Sequence, residues 1–159
     1  SSNKVIQSGE IVAFDTDMVG PYGYCADISR TYVEGHKFND EQKKLYSMAA
    51  DQINYNSALI KDGLSFKEFV EKSWVLPEEY YPNRYSVMVH GIGLCDEWPA
   101  IRYPSDGGEQ GGIFKENMTI TVESYIGKVG GKEGVKLEQQ YLVGQNGLEL
   151  MSHHPLEDI

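Results

Sequence analysis

The sequence predicts an α+β fold, an antiparallel sheet with helices packed on one face. Three observations predict it: a strand pair with a turn near the start, a second strand pair near the end, and two helical segments between them. At 159 residues and 40% hydrophobic content, the chain has the length and composition of one ordinary soluble domain. We therefore expect a single core, built where the helices cover the sheet.

The composition excludes two classes of partner. With 24 Asp+Glu against 14 Lys+Arg and a net charge of −10, the chain lacks the basic surface that a nucleic-acid binder needs. No apolar run approaches the roughly 20 residues of a membrane-spanning helix, so we expect no membrane partner. Two cysteines are too few for a disulfide framework, and the first residues lack the pattern of a signal peptide. The expected compartment is the cytoplasm.

Two segments rich in β-branched and apolar residues, 10–17 and 22–34, predict the first hairpin. A Gly-Pro pair stands between them, which is typical of a turn. With a three-residue loop at that turn, Asp15 lies opposite Asp27, and Asp17 shares their face because alternate strand residues point the same way. Three carboxylates are therefore expected to converge.

The next part of the chain predicts two helices, at residues 39–61 and 65–74. Each begins with an Asn or Ser followed three residues later by a Gln or Glu, Gln42 and Glu68, which is the pattern of a capping box. Gly63 closes the first helix. The connection is very short, so the helices should form an antiparallel pair.

The last part predicts a short strand at 86–89, followed by His90 and a Gly-Ile-Gly run. A polar, glycine-rich loop then leads to two strands, 118–125 and 135–143, which form a second hairpin. This hairpin also carries acids that should point inward.

Five acids stand in otherwise apolar strands. They are Asp15, Asp17, Asp27, Glu123 and Glu138. One strand acid is ordinarily a solvated surface group, but carboxylates that face one another repel unless a cation coordinates them. His90 adds an imidazole, which favours Mn, Fe, Co or Zn over an all-oxygen Mg or Ca site. These candidate ligands outnumber the positions around one tetrahedral ion. We therefore expect one or two transition-metal ions, divalent or trivalent, with a two-metal centre as the natural arrangement.

These residues resemble a family. The segments FDTDMVGPYGYCADISRTY, HGIGL, ITVESY and KLEQQYLV are similar, in order, to motifs of the creatinase, methionine aminopeptidase and Xaa-Pro dipeptidase superfamily. The resemblance implies a pita-bread fold with a curved sheet, of which residues 1–159 would be the C-terminal metal-binding catalytic domain, a fragment without its N-terminal portion. It also implies a homodimer in the full-length protein. The implied metal ligands are Asp15, Asp27, His90, Glu123 and Glu138.

Two departures distinguish this sequence from peptidase members. The first motif, usually Asp-x-Gly, has a second acid at Asp17, and the His that peptidases carry after HGIGL is absent from the segment around Asp96. An anionic Asp cannot stabilise an oxyanion as an imidazole can, which argues against hydrolysis of proline peptides. Both departures resemble the dimethylsulfoniopropionate (DMSP) lyases of this fold, in which an extra Asp joins the iron site and an Asp after HGIGL is the catalytic base.

That resemblance assigns Asp17 to the metal, Asp96 to the base and Tyr85 to the substrate pocket as a second catalytic residue. β-Elimination of DMSP takes a proton from the carbon beside the carboxylate and expels dimethyl sulfide, which leaves acrylate. Aromatic faces would bind the sulfonium cation. Besides Tyr85, the candidates are Trp98, Tyr22 and Tyr24. Each of these aromatic residues has an alternative role in core or lid packing.

Two residues are expected to support the site indirectly. Arg30 is more suited to pairing with a nearby acid than to meeting the substrate. Glu97 stands beside the predicted base, and Asp96 has an alternative role as a cap of the loop at Glu97.

Three functions remain open on the sequence: a DMSP-lyase-like enzyme with a small-molecule substrate, an Xaa-Pro dipeptidase-like hydrolase, and a non-catalytic binding module. The complete ligand set argues against the third. A degenerate member of the family should have lost at least one ligand.

Overall fold

The computed structural model describes residues 3–156 and confirms the α+β fold. It contains three antiparallel sheets, and the largest has five strands. In chain order the elements are β1 (Ile11–Asp15), β2 (Met18–Val19), β3 (Cys25–Ala26), β4 (Ser29–Val33), α1 (Asp40–Leu59), α2 (Phe66–Lys72), β5 (Val87–Gly91), β6 (Ala100–Arg102), β7 (Thr119–Gly127), β8 (Gly134–Val143) and β9 (Leu148–Leu150). The strand order of the large sheet is β6-β5-β7-β8-β9.

The first helix begins as predicted. The side chain of Asn39 accepts a hydrogen bond from the Gln42 backbone at 2.9 Å, and the Gln42 side chain accepts one from the Asn39 backbone at 2.9 Å. These bonds satisfy backbone groups that have no partner inside the helix. The helix ends before Ile60, earlier than predicted, because the backbone of Ile60 is extended.

The second helix has only half of the predicted capping box. Ser65 accepts a hydrogen bond from the backbone of Glu68 at 3.1 Å, which caps the helix. The carboxylate of Glu68 instead receives a hydrogen bond from Lys72 at 2.6 Å, one turn further along. The helix is therefore stabilised by a side-chain pair in place of the second capping bond.

The helices pack on one face of the large sheet, and the acids of the second hairpin lie on the other. Ser124 on β7 donates to Gln52 on α1 at 2.6 Å, so the residues that share its face point at the helix. Because side chains alternate along a strand, Glu123 points to the opposite face. There the strand pair β1–β4 contacts β8 and covers the acids. The core under α1 is built mainly from aliphatic and aromatic side chains.

The register of the first hairpin differs from the prediction. Asp15 lies opposite Ser29 and not opposite Asp27. The backbone of Gly20 donates to the carbonyl of Tyr24 at 2.8 Å, so Gly20 belongs to the paired stem and the turn is centred one residue later than predicted. Moving the turn by one residue shifts the pairing by two, which leaves every side chain on its face. The predicted register was wrong, whereas the shared face of the acids is retained.

The strands β6 and β9 were not predicted, because each is only three residues long and forms an edge of the sheet. In the described range 3–156, no helix combines the length and apolar character needed to cross a membrane.

Candidate metal centre

The predicted acids and His90 meet in one recess of about 210 Å³, which we call the acidic recess. Both hairpins and β5 contribute to it. Its lining includes all six predicted metal ligands, Asp15, Asp17, Asp27, His90, Glu123 and Glu138. Tyr85 and Glu97 also line it, together with two residues that were not predicted, Tyr125 and Lys136.

The imidazole of His90 points into the middle of this recess. Its Nε2 lies 3.1 Å from Glu138 Oε1, 3.8 Å from Asp27 Oδ2 and 3.9 Å from Glu123 Oε1. Its Nδ1 lies 3.0 Å from the carbonyl oxygen of Gly91, which can only accept, so Nδ1 carries the proton when the ring is neutral. The lone pair of Nε2 then faces three carboxylates. A cation between these atoms would convert mutual repulsion into coordination.

The backbone explains why His90 is followed by glycine. A Cβ at Gly91 would collide with the carbonyl of Trp98, and the Gly91 backbone donates to the carbonyl of Pro99 at 2.8 Å. Only a residue without a side chain allows this close approach. The approach brings the loop that carries Asp96 and Glu97 back against the end of β5.

Serine 29 connects the acids of the two hairpins. Its hydroxyl lies 2.6 Å from Asp15 Oδ1 and 2.9 Å from Glu138 Oε2, so one proton serves two carboxylates from different parts of the chain. Glu138 in turn lies directly opposite Glu123 in the pairing of β7 with β8. The first and second hairpins are therefore linked at the ligands themselves.

Burial and mutual repulsion change the pKa values of these groups. Burial, together with the charges of Glu138, Asp15 and Asp17, raises the pKa of Asp27 to about 8. Burial also raises the pKa of Glu123 to about 7. Within residues 3–156, no hydrogen-bond donor reaches Glu123 Oε1, although this oxygen is buried. An unsatisfied buried carboxylate oxygen beside His90 is what a metal ligand presents before its ion is bound.

Among the described residues 3–156, two groups of side chains have the geometry to hold an ion. Asp27, His90 and Glu138 each offer a donor atom within 4.8 Å of the others, and so do Asp17, Asp27 and Asp96. Both groups contain Asp27, so two ions in them would share this carboxylate. Oxygen donors with one imidazole fit a first-row transition metal. The residues present therefore fit the predicted kind of metal site.

The loop after β5 places Glu97 in the lining of the recess and Asp96 just outside that lining, with a carboxylate oxygen within 4.8 Å of Asp17 and Asp27. Asp96 is partly buried, and its Oδ1 accepts a hydrogen bond from the Glu97 backbone at 3.0 Å. The alternative role of Asp96 as a loop cap thus coexists with its position beside Asp17 and Asp27. Tyr85 lies across the recess, with its hydroxyl 3.5 Å from Glu97 Oε1. Burial and the charge of Glu123 raise the pKa of Tyr85 to about 12, so its phenol is protonated at neutral pH.

Lysine 136 is a member of the recess that sequence reasoning missed. Its ammonium contacts Glu123 Oε2, lies 3.9 Å from Glu138 Oε2 and lies 4.4 Å from the centre of the Tyr85 ring. The signal was present, because Lys136 stands two residues before Glu138 in one strand and must share its face.

The predicted aromatic residues other than Tyr85 lie outside the acidic recess. Trp98 and Tyr24 line a neighbouring apolar cavity of about 390 Å³. Tyr22 is fully exposed, at 101%, because it stands at the tip of the first hairpin with its backbone in a left-handed conformation. The structure therefore does not bring these three side chains to the carboxylates.

Arginine 30 supports the site through backbone atoms. Its side chain is 2% exposed and donates to the carbonyl oxygens of Ser29 at 2.9 Å, Glu138 at 2.6 Å and Pro155 at 3.1 Å. It also donates to the side-chain oxygen of Gln139 at 2.9 Å. The predicted pairing with an acid was wrong, because these carbonyl and amide oxygens occupy its donors. Arg30 instead fixes the strands that carry the ligands to the C-terminal segment.

Comparisons with known proteins show the family and the fold of this chain. The family model described as Metallopeptidase family M24 matches residues 1–145. Dimethylsulfoniopropionate lyase DddP of Roseovarius nubinhibens is 36% identical over 158 residues, which is 97% of this chain and 35% of that protein. The uncharacterized peptidase YqhT of Bacillus subtilis is 30% identical over 99% of this chain and 43% of its own length.

Among solved structures, the prolidase from Pyrococcus horikoshii OT3 superposes with a TM-score of 0.80 and 26% identity. The match covers 100% of this chain and 44% of that one. This chain therefore spans less than half the length of each of these proteins.

Proposed function

Because the chain belongs to metallopeptidase family M24, we propose that it carries the metal site of an enzyme that cleaves DMSP to acrylate and dimethyl sulfide. Membership confirms the predicted superfamily, and the match to prolidase structures confirms the predicted part of the pita-bread fold. The similarity to a DMSP lyase over 97% of the chain supports this reaction over others of the family.

One observation carries the proposal. Asp17 and Asp96, the two acids in which the sequence departs from the peptidase pattern, both lie with Asp27 in one group of donors within 4.8 Å. The departures are thus neighbours in space, at the edge of the predicted metal site. A changed reaction requires changed groups next to the reacting atoms, and these two residues meet that requirement.

The residues of the chain have separate tasks in this reaction. Asp15, Asp17, Asp27, His90, Glu123 and Glu138 would hold one or two transition-metal ions, and bound ions would stabilise the charge that develops on the substrate carboxylate. Asp96 takes the proton from the carbon beside that carboxylate. As this C–H bond breaks, a carbon–carbon double bond forms. The electrons of the C–S bond leave with dimethyl sulfide.

Tyr85 and Glu97 define the other side of the recess. The phenol of Tyr85 is protonated at neutral pH, so it donates a hydrogen bond, and Glu97 lies within reach to accept it. This bond orients the Tyr85 ring beside the carboxylates. An oriented aromatic face next to a negative recess suits a sulfonium cation.

The second candidate is an Xaa-Pro dipeptidase-like hydrolase. It is favoured by the structural match to a prolidase and by the presence of the full set of family ligands. Against it stands Asp96, whose negative charge would oppose the oxyanion that peptide hydrolysis develops.

The two candidates are separated by offering both substrates to the purified protein at its natural length, loaded in turn with iron, manganese, zinc or cobalt. Dimethyl sulfide release from DMSP, without proline release from Gly-Pro or Ala-Pro, is the expected result. Proline release without dimethyl sulfide would reject the lyase in favour of the hydrolase. A protein that binds none of these metals would be a binding module and neither enzyme.

A further inference from the structure

We propose that Lys136 is a built-in counter-cation of the acidic recess, which holds Glu123 and Glu138 by their Oε2 atoms and weakens the binding of metal ions to these two carboxylates. This inference rests on the proposed metal-binding function. It assigns to one lysine the control of how tightly the site binds its metal. The positions of Lys136 and of both acids support it.

Lys136 is part of the recess by its place in the strand. It stands on β8 two residues before Glu138, and its partner across the pairing is Tyr125 on β7, two residues after Glu123. All four side chains consequently share the face of the sheet that lines the recess. The side chain of Lys136 is only 13% exposed, so its charge is largely removed from water.

The charges of the recess explain why a lysine is held there. Glu123 and Glu138 face each other, and both are 1% exposed at the side chain. Two buried carboxylates repel, and a buried ammonium needs an opposite charge. Lys136 contacts Glu123 Oε2 and lies 3.9 Å from Glu138 Oε2, so one cation relieves both conflicts.

A metal ion needs the same carboxylates. An ion beside His90 would meet the Oε1 atoms of both acids, whereas Lys136 lies against their Oε2 atoms. The ion and the ammonium would therefore share two carboxylates and repel each other across them. This repulsion is subtracted from the free energy of metal binding, which makes the site weaker than its ligands alone would make it.

The ring of Tyr85 also faces this ammonium. Its centre lies 4.4 Å from Lys136 Nζ, within the range of a cation–π contact. Lys136 therefore contacts two acids and one aromatic ring at the same time, which fixes its charge beside the carboxylates.

A second lysine of the same hairpin provides a matched control. Lys128 follows β7 and pairs with Glu79 at 2.6 Å, but both side chains are nearly half exposed and stand outside the recess. Its removal deletes the same charge and a comparable pair without touching a predicted ligand.

The experiment compares Lys136→Met, Lys136→Arg and Lys128→Met with the unaltered protein. Mn²⁺ affinity is measured by titration calorimetry, and thermal unfolding is measured in the presence of a chelator. Lys136→Met should bind Mn²⁺ about 10- to 100-fold more tightly, because it removes the repulsion between the ammonium and the ion. Its metal-free form should unfold at a lower temperature. Lys136→Arg should stay close to the unaltered protein, and Lys128→Met should leave the Mn²⁺ affinity unchanged.

Equal or weaker binding of Mn²⁺ by Lys136→Met would overturn the inference and leave the proposed function intact. If neither protein binds Mn²⁺, Zn²⁺, Co²⁺ or Fe²⁺, both the function and the inference are rejected. Should Lys136→Met fail to fold without metal, it is refolded with Mn²⁺, and its affinity is measured by competition with a chelator of known strength. The same tenfold or greater tightening is then required.

Discussion

Glu123 and Glu138 lie directly opposite each other in neighbouring antiparallel strands, and both side chains are almost completely buried. Facing carboxylates destabilise a strand pair, and here they lie in its buried part. Such an arrangement persists when another component supplies positive charge. In this recess Lys136 supplies positive charge to both acids, and a bound metal ion would add to it.

Glu138 should be essential for metal binding, because it faces both His90 and Ser29. We expect Glu138→Gln to weaken Mn²⁺ binding by more than about 100-fold, beyond the effect typical of a residue next to a ligand. Titration calorimetry measures the change. Glu149→Gln, which removes an exposed acid from β9, is the control and should bind as before. Unchanged binding by Glu138→Gln would exclude this residue as a ligand.

The metal-free protein should become less stable as pH rises from about 4 to about 9. The pKa of Asp27 is raised from 3.8 to about 8 and that of Glu123 from 4.5 to about 7, so the folded state binds these protons more tightly than the unfolded state. Their stabilising contribution is present at low pH and is lost as pH rises through the folded values. Burial alone lowers the pKa of His90, but its hydrogen bond with Glu138 and the charge of Glu123 raise it from 6.5 to about 9, which acts in the same direction.

Thermal unfolding with a chelator, measured across this pH range, checks the prediction. Asp27→Asn should make the melting temperature depend less on pH, because it removes the group with the largest pKa shift. Metal affinity should change the opposite way and increase with pH, since the ligands must release protons to bind an ion. A melting temperature that rises steadily toward pH 9 in the metal-free protein would contradict the prediction.

Arg30→Lys should destabilise the fold although it keeps the charge. The guanidinium bonds several buried oxygens at once, among them the carbonyls of Ser29 and Glu138, and an ammonium cannot reach them all. Leaving buried acceptors without donors should cost about 2–4 kcal/mol of unfolding free energy. Urea denaturation measures this cost. Arg102→Lys loses one bond to Ser86 and should cost less than about 1 kcal/mol, so equal losses in the two variants would refute the special role of Arg30.

Asp96→Asn should remove lyase activity while the protein keeps its metal. The amide cannot accept the substrate proton, so kcat for DMSP should fall by about 10²–10⁴-fold. The metal content, measured by mass spectrometry of the purified protein, should stay unchanged, because the six predicted ligands remain. Asp51→Asn, an exposed acid of α1, serves as control. Loss of metal would instead make Asp96 a ligand, and unaltered turnover would exclude it as the base.

Strand periodicity predicted the acidic face from the sequence but could not predict how its members pair. Asp15 and Asp27 were placed on one face correctly, because that depends only on alternation along the strands. Their register was missed by two residues, because it depends on which residue stands at the centre of the turn. The residues suit either centre of the turn equally well, and only the hydrogen bond from the Gly20 backbone to the Tyr24 carbonyl distinguishes the two.

Other errors came from groups whose role depends on distant parts of the chain. Alternation along β8 places Lys136 on the face of Glu138, but its burial depends on the first hairpin, which covers β8. The partners of Arg30 are mostly backbone oxygens, including that of Pro155, which no residue pattern identifies. Tyr22 was a candidate for binding the sulfonium cation because it is aromatic, whereas the hairpin tip carries it into solvent.

The bond from Ser29 to Glu138 joins residues 109 positions apart in the chain, and the bond from Asp27 to Gln140 joins residues 113 apart. Contacts of such long range form late, because a chain must close a large loop before they are made. A partly folded chain therefore has no complete metal site, and a metal ion would stabilise only the folded state. Removal of the metal should speed unfolding while leaving the folding rate nearly unchanged.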